Sequence, residues 1–132
     1  MKKYDVKYTD RFVGYRYGTR YIERVEANDE TEAKQIIIDK YKDASLSCIK
    51  VKEAEDLVCW AYKSYKLDDG KWAFKKEYFG GYIDLHIFGK APMFSEHIED
   101  AKKYMVIEDL KDDLRRCNQK ITEFKIEKVG VN

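Results

Sequence analysis

Two histidines, spaced carboxylates and three cysteines are the residues of this chain whose types could do bond chemistry. His86 stands two residues after Asp84 in "YIDLHIF", a spacing that sets both side chains on one face of a strand, where they could begin a metal site. Nothing else joins them, so the expectation is an ordinary strand histidine. His97 lies among acids in "SEHIED" and reads as a surface residue. "EFK", Glu123 to Lys125, has the carboxylate-x-lysine spacing of nucleases that hold a divalent ion beside the attacked phosphate, with Asp84 as second carboxylate. Glu-x-Lys recurs readily among so many charges, and Asp84 lies far from Glu123 in sequence. A metal-dependent nuclease is therefore an alternative, not the leading reading. No glycine-rich loop opens a helix with a lysine, and no serine or cysteine sits on a nucleophile elbow. Cys48, Cys59 and Cys117 are odd in number and lack metal-like spacing. They read as reduced thiols, with Cys48 and Cys59 serving as buried or half-buried small hydrophobes. The sequence thus assigns no catalytic residue, no metal and no cofactor.

Contact chemistry is better represented. "FVGYRYGTRY", Phe12 to Tyr21, mixes rings that stack with guanidiniums that hold phosphates, at what also reads as the bend of a hairpin. Tyr15, Arg16, Tyr17 and Arg20 are its candidate partner-binding residues. The eleven tyrosines of the chain suit broad contact surfaces, because each offers a large rigid area at low entropy cost. Two charge patches accompany them. Arg11, Arg16, Arg20 and Arg24, with Lys2, Lys3 and Lys7, make the start basic. The segment from Glu96 to Asp113 is acidic, and Glu99, Asp100, Asp109, Asp112 and Asp113 are its candidate contact residues. Opposite poles on a nearly neutral chain suit electrostatically selected contacts.

The elements that must position these groups follow from periodicity. "YDVKYT" alternates, with Tyr4, Val6 and Tyr8 inward and Asp5, Lys7 and Thr9 outward. "RYIERVEA" is its antiparallel partner, with Gly14 and Gly18 at the bend. Asp29 and Glu32 form a capping box for a helix over 30–42, with Ala33, Ile37 and Tyr41 on one face. "LSCIKVKE" is a strand with Ile49 and Val51 inward. A meander of two or three strands follows, turning at "DDG" (Asp68 to Gly70) and again at "FGGY" (Phe79 to Tyr82), with a helix over 53–65 as the rival reading of its first part. Pro92 marks a break. "SEHIEDAKKYM" is ambiguous between a short helix and an edge segment. "IEDLKDDLRRC" is helical, with the stripe Ile107, Leu110, Leu114, and "ITEFKIEKV" is a strand with Phe124 and Ile126 on one face. The expected class is α+β: antiparallel sheets with two main helices, readable as two related strand-helix-strand halves. The chain is expected to form one compact domain, divisible at most into 1–54 and 55–132.

Composition narrows the function classes. At 132 residues with 44% hydrophobic content, the chain can bury a core. Charged residues reach 39%, yet the net charge is +1, which argues against disorder and against coating nucleic acid by global charge. No signal region or membrane-length apolar run is present, and the expectation is a cytoplasmic protein of a bacterial host cell.

"VEANDETEAKQIIIDKY" followed by a short strand, within a small chain rich in Tyr, Lys and Glu, resembles the small proteins encoded by bacteriophages and mobile elements, of which the anti-CRISPR proteins are the best-known functional group. The resemblance covers the β-β-α-β segment from Tyr4 to Glu53. It implies a non-enzymatic inhibitor that binds a larger host protein, such as a CRISPR nuclease or its guide-RNA complex. The acidic segment would imitate phosphates, and the tyrosine-rich loop would supply an anchor. The alternative is a small module that binds nucleic acid directly through the basic hairpin, with Tyr15, Tyr17 and Tyr21 on unpaired bases.

Overall fold

The computed structural model describes residues 1–10, 19–42 and 44–132. Over these residues it is an α+β structure with two α-helices and two antiparallel sheets, of three and four strands. The chain divides into two compact units, Met1–Glu55 with Gly130–Asn132, and Asp56–Val129.

In the first unit β1 (Lys2–Asp10) lies between β2 (Thr19–Ala27) and β3 (Leu46–Glu53), antiparallel to both. Tyr4, Val6 and Tyr8 point to one face and are buried there, as their alternation predicts. Helix α1 (Glu30–Lys40) covers that face with Ala33 and Ile37, and Ile36 and Tyr41 pack at its margin. Each fully buried Val or Ile side chain stabilises by about 1.5–3 kcal/mol. One arm of the capping box forms: the Asp29 carboxylate accepts from the Glu32 N–H at 2.8 Å. The reciprocal arm does not, because the Glu32 carboxylate accepts from the Asn28 side chain instead.

Two expectations fail in this unit. Asp5 is not solvated; it is 1% exposed, for reasons given below. Cys48 is not buried. The pairing of β1 with β3 slips between Lys7 and Thr9, so β3 carries one extra residue there, and Cys48 takes φ 52° and turns outward. The same bulge lets Leu46 and Ile49, three residues apart, both reach the core.

The second unit has strand order β6-β5-β4-β7, with β4 (Glu55–Lys66), β5 (Trp72–Asp84), β6 (Lys90–Ser95) and β7 (Lys125–Gly130). Helix α2 (Ile107–Arg116) packs Leu110 and Leu114 against Cys59, Ala61 and Phe79 of the sheet. The helix ends in a Schellman motif: Asn118 at φ 58° donates to the Arg115 carbonyl, and the Gln119 N–H reaches back to the Leu114 carbonyl at 2.8 Å. The two halves share a connectivity. In each, the first strand is central, the next strand pairs on one side, and the strand after the helix pairs on the other; β6 is an added edge.

The "DDG" turn forms as expected, with Gly70 at φ 82° and the Asp69 carboxylate accepting from the Lys71 N–H. "FGGY" is not a turn. Phe79 to Tyr82 run inside β5, where the register with β6 slips and Gly81 takes φ 93°. A side chain at Gly80 would stand 3.1 Å from the Asp100 carbonyl, so the glycine also permits the close approach of the segment that covers the sheet. Pro92 is no break; it sits in β6, an edge strand, where a missing N–H costs no ladder bond on the open side. Phe124 precedes β7 and is buried, whereas Ile126 is exposed, because Glu127 and Val129 take the inward positions of that strand. The ambiguous segment after β6 holds a single 3-10 turn, Ile98–Asp100, and then a bridge between Tyr104 and Leu57.

Candidate functional site

The residues suited to bond chemistry do not converge. Asp84 ends β5, and its carboxylate accepts from the backbone N–H of His86 at 2.9 Å. His86 is not in a strand but opens the 3-10 turn His86–Phe88 with φ 58°, so the shared strand face expected for the pair is absent. Glu123 ends the turn Ile121–Glu123 and Lys125 begins β7, with its ammonium 5.5 Å from the centre of the Trp60 ring. Among the described residues no group of three or more His, Cys, Asp or Glu could hold a metal ion. Cys59 and Cys117 lie in the core of the second unit; burial first, then its neighbour Cys117, pushes the Cys59 thiol up to about 12, far from the thiolate a nucleophile needs. A cleft of about 330 Å³ beside the end of α2 is lined by Lys111, Arg115, Gln119, Lys120, Ile121 and Thr122, a set without a carboxylate or an imidazole.

The acidic segment is largely engaged within the protein. Asp113 is 5% exposed. Its carboxylate takes hydrogen bonds from Lys102 (2.6 Å), the Tyr104 hydroxyl (2.6 Å) and Arg116 (3.2 Å). Burial alone would raise this carboxyl; the bonds from Lys102 and Tyr104 and the charges of Lys102 and Arg116 outweigh it and hold it below the usual carboxylate range. Asp112 pairs with Arg115, and Asp100 accepts from the Ser95 hydroxyl. Glu99 and Asp109 are exposed. In the first unit Arg20 is exposed on β2, while Arg24 is turned to Asp5 and Lys2 to Glu53. Tyr15, Arg16 and Tyr17, with the bend at Gly14 and Gly18, lie outside the described residues.

A surface that the charge patches do not announce stands out on β4 and β5. The register pairs Trp60 with Tyr78, Tyr62 with Lys76, Ser64 with Phe74 and Lys66 with Trp72. The pleat sets these eight side chains on one face of the ribbon, opposite the face that carries Cys59, Ala61 and Phe79 into the core. At its base the face is closed: Val58, Tyr78 and Ala101 are buried together, with Trp60, Ile98 and Val129 packed on them. Beyond Trp60 it is open. Tyr62, Phe74 and Trp72 are 64%, 70% and 60% exposed. Each of the four rows therefore carries one ring free of the closed base or at its margin, and rows lie about 6.8 Å apart along a strand. The Tyr62 ring meets Trp60 edge-on at 5.3 Å. Lysines stand among the rings. The Lys76 ammonium lies 4.2 Å from the centre of the Trp60 ring, Lys125 approaches the same ring, and Lys66 flanks Trp72. Glu127 is the acid beside them, and it accepts from the Tyr78 hydroxyl at 3.4 Å.

This face carries a signal in the sequence, "WAY" before the turn and "WAF" after it, but a period of two is equally the mark of a buried strand face. Which parity meets the core is decided by α2 and by the segment around Ile98, both distant in sequence. A second exposed apolar feature is the turn after β5, where Ile87 and Phe88 are 91% and 83% exposed. Neither packs against a core, so the double change Ile87→Ser and Phe88→Ser is expected to alter unfolding free energy by no more than about 0.5 kcal/mol in a urea titration. Among the described residues no helix is long and apolar enough to cross a membrane. No family model, no curated protein and no solved structure matches this chain.

Proposed function

We propose that this protein is a nucleic-acid-binding module whose contact surface is the open face of the β4–β5 ribbon. The observation that carries the reading is the alternation on that face of exposed rings (Tyr62, Phe74, Trp72) with lysines (Lys66, Lys76, Lys125). Large exposed rings are costly to leave in water unless a partner covers them, and ammonium groups among them select a partner that is anionic as well as aromatic. Nucleic acid is both. The test is a titration of labelled oligonucleotides at several salt concentrations. Binding in the micromolar range is expected near physiological salt, with a log–log salt slope of about −2 if the three lysines each meet a phosphate. No binding at roughly 50 mM salt would remove the reading, since the electrostatic share is largest there.

A second reading keeps the protein inhibitor of a nucleic-acid-handling machine, with a CRISPR nuclease or its guide-RNA complex as the partner. It is favoured by the exposed Ile87 and Phe88, an apolar pair that a protein pocket would desolvate, and by the open carboxylates of Glu99 and Asp109. Direct oligonucleotide binding that depends on Phe74 and Trp72 separates the first reading from the second.

A further inference from the structure

We infer that the ligand of the β4–β5 face is an unpaired strand, with its bases stacked on the open rings Tyr62, Phe74 and Trp72. This inference rests on the nucleic-acid reading above and narrows it. A ring gains most from a nucleic acid by lying on the face of a base, and those faces are concealed in a duplex. The forked side chains that read base edges most specifically from a groove are missing here: the eight paired positions of the face hold no Arg, Asn or Gln, and Ser64, Lys66 and Lys76 are their polar groups besides those of the tyrosines and tryptophans. A two-stranded ribbon is narrow enough for the major groove, but the tip of this one carries Trp72 and Phe74, whose bulk and lack of paired donors and acceptors suit stacking better than edge recognition.

Ring spacing sets the footprint. The three open rows at about 6.8 Å extend over about 14 Å. A row interval is close to twice the ~3.4 Å rise per nucleotide along one strand, so the ladder offers room for a base at each ring in a strand drawn out from its helical stack. The site would hold about three nucleotides, just below the usual range for one binding domain. Lys76 and Lys125 beside Trp60, and Lys66 across from Trp72, put cations at both ends of the ladder. Phosphates on the flank of a stacked strand would meet them there. Nothing in the arrangement distinguishes ribose from deoxyribose, so DNA and RNA strands are expected to bind alike.

The test compares a labelled ten-nucleotide thymidine or uridine strand with a hairpin duplex of matched charge, using the full chain and reading both anisotropy and the intrinsic fluorescence of Trp60 and Trp72. The single strand should bind at least tenfold tighter and quench the tryptophans. Trp72→Ala and Phe74→Ala should each weaken it by about 5- to 150-fold, the range for losing one stacked base. Trp72→Phe and Phe74→Tyr should restore most of the affinity, because any ring supplies a stacking face. Lys76→Ala should instead flatten the salt slope by about 0.7. All these side chains are exposed or on the open face, and circular dichroism checks that the variants fold. Equal or tighter duplex binding overturns the unpaired-strand inference and leaves the nucleic-acid reading standing. Single-strand binding indifferent to both alanine changes also overturns it, since charge alone would then account for affinity. Binding of neither oligonucleotide removes both.

Discussion

Replacing Asp113 with alanine is expected to destabilise the second unit by about 2–4 kcal/mol, a fall of roughly 10–20 °C in its thermal midpoint. The groups it would strand are unequal. Lys102 and Arg116 have side chains 49% and 53% exposed and can turn to water. The Tyr104 hydroxyl cannot; it is buried beside Leu57 and Cys59, and without Asp113 it keeps a donor with no acceptor. That orphan accounts for about 1–3 kcal/mol of the loss. Adding Tyr104→Phe to Asp113→Ala should therefore cost less than the two single changes summed. Both tryptophans of the chain, Trp60 and Trp72, belong to this unit, so their fluorescence reports its unfolding. A strictly additive double variant would show that the hydroxyl is satisfied some other way.

The same carboxylate gives a pH signature of fixed sign. Its folded pKa lies below the ordinary value of about 3.9 because Lys102, Tyr104 and Arg116 favour the ionised form. The stabilisation is present above the unfolded value and is lost as pH falls through the folded one. Asp113→Asn keeps the shape and removes the charge. Its deficit in midpoint relative to the parent should be full at pH 6 and should narrow on acidification below about pH 4. A constant deficit down to pH 2.5 would mean that the charge of Asp113 contributes nothing.

Much of the fold was legible because local periodicity and tertiary demand agree. Tyr4, Val6 and Tyr8 alternate and are buried; Ala33 and Ile37 share a helical face and pack on them; Leu110 and Leu114 do the same in the second unit. Two of the failures share a cause, a register slip that no local pattern announces. The extra residue in β3 turns Cys48 outward. The bulge at Gly80 and Gly81 carries β5 straight through a dipeptide that reads as a turn, because two glycines serve a bulge and a close backbone approach as well as they serve a hairpin. His86 left its expected strand when β5 ended at Asp84, and the metal-like spacing became an Asp84 cap on the His86 N–H.

The candidate site was less legible than the fold, for an energetic reason. A charge counted in sequence is not a charge presented to a partner. Asp113 is buried and spent on the Lys102–Tyr104–Arg116 set, while Asp112 and Asp100 pair at the surface with Arg115 and Ser95, so the acidic segment presents less unpaired charge than its composition implies. Rings mislead in the opposite sense. Trp72 and Phe74 alternate as core residues would, and only the placement of α2 on the other face of the sheet leaves them in water. The tyrosine-rich loop that drew attention in the sequence retains Arg20 as its one described candidate, exposed on β2.

Asp5 shows the cost of that kind of misreading most sharply, and its removal should have the largest effect on the first unit. Alternation assigns it to solvent, yet it is 1% exposed. Arg24, its cross-strand partner in the β1–β2 register, donates from Nε to one carboxylate oxygen at 2.8 Å and from Nη2 to the other at 3.2 Å. The Glu55 N–H adds a third bond at 3.3 Å, and the same Nη2 reaches the Glu55 carbonyl at 3.1 Å. One bidentate pair thus ties β1, β2 and the end of the unit's chain at Glu55 together on the sheet face away from α1. Asp5→Ala would leave the Arg24 charge, whose side chain is only 22% exposed, beside an emptied acceptor site. Breaking such a pair costs about 3–5 kcal/mol, more than the pair itself contributes, because desolvation of the survivor is then less fully offset. Fluorescence is blind to this unit, which lacks tryptophan, so hydrogen exchange is the appropriate measure. Protection should fall in β1, β2 and β3 by two to three orders of magnitude, each tenfold step being about 1.4 kcal/mol. Asp5→Asn, which keeps the side-chain shape and one acceptor oxygen but not the charge or the second acceptor, should fall between the parent and the alanine variant. Protection of β1 within threefold of the parent in Asp5→Ala would show that the ion pair is replaceable by water and that the helix-facing core alone holds this sheet.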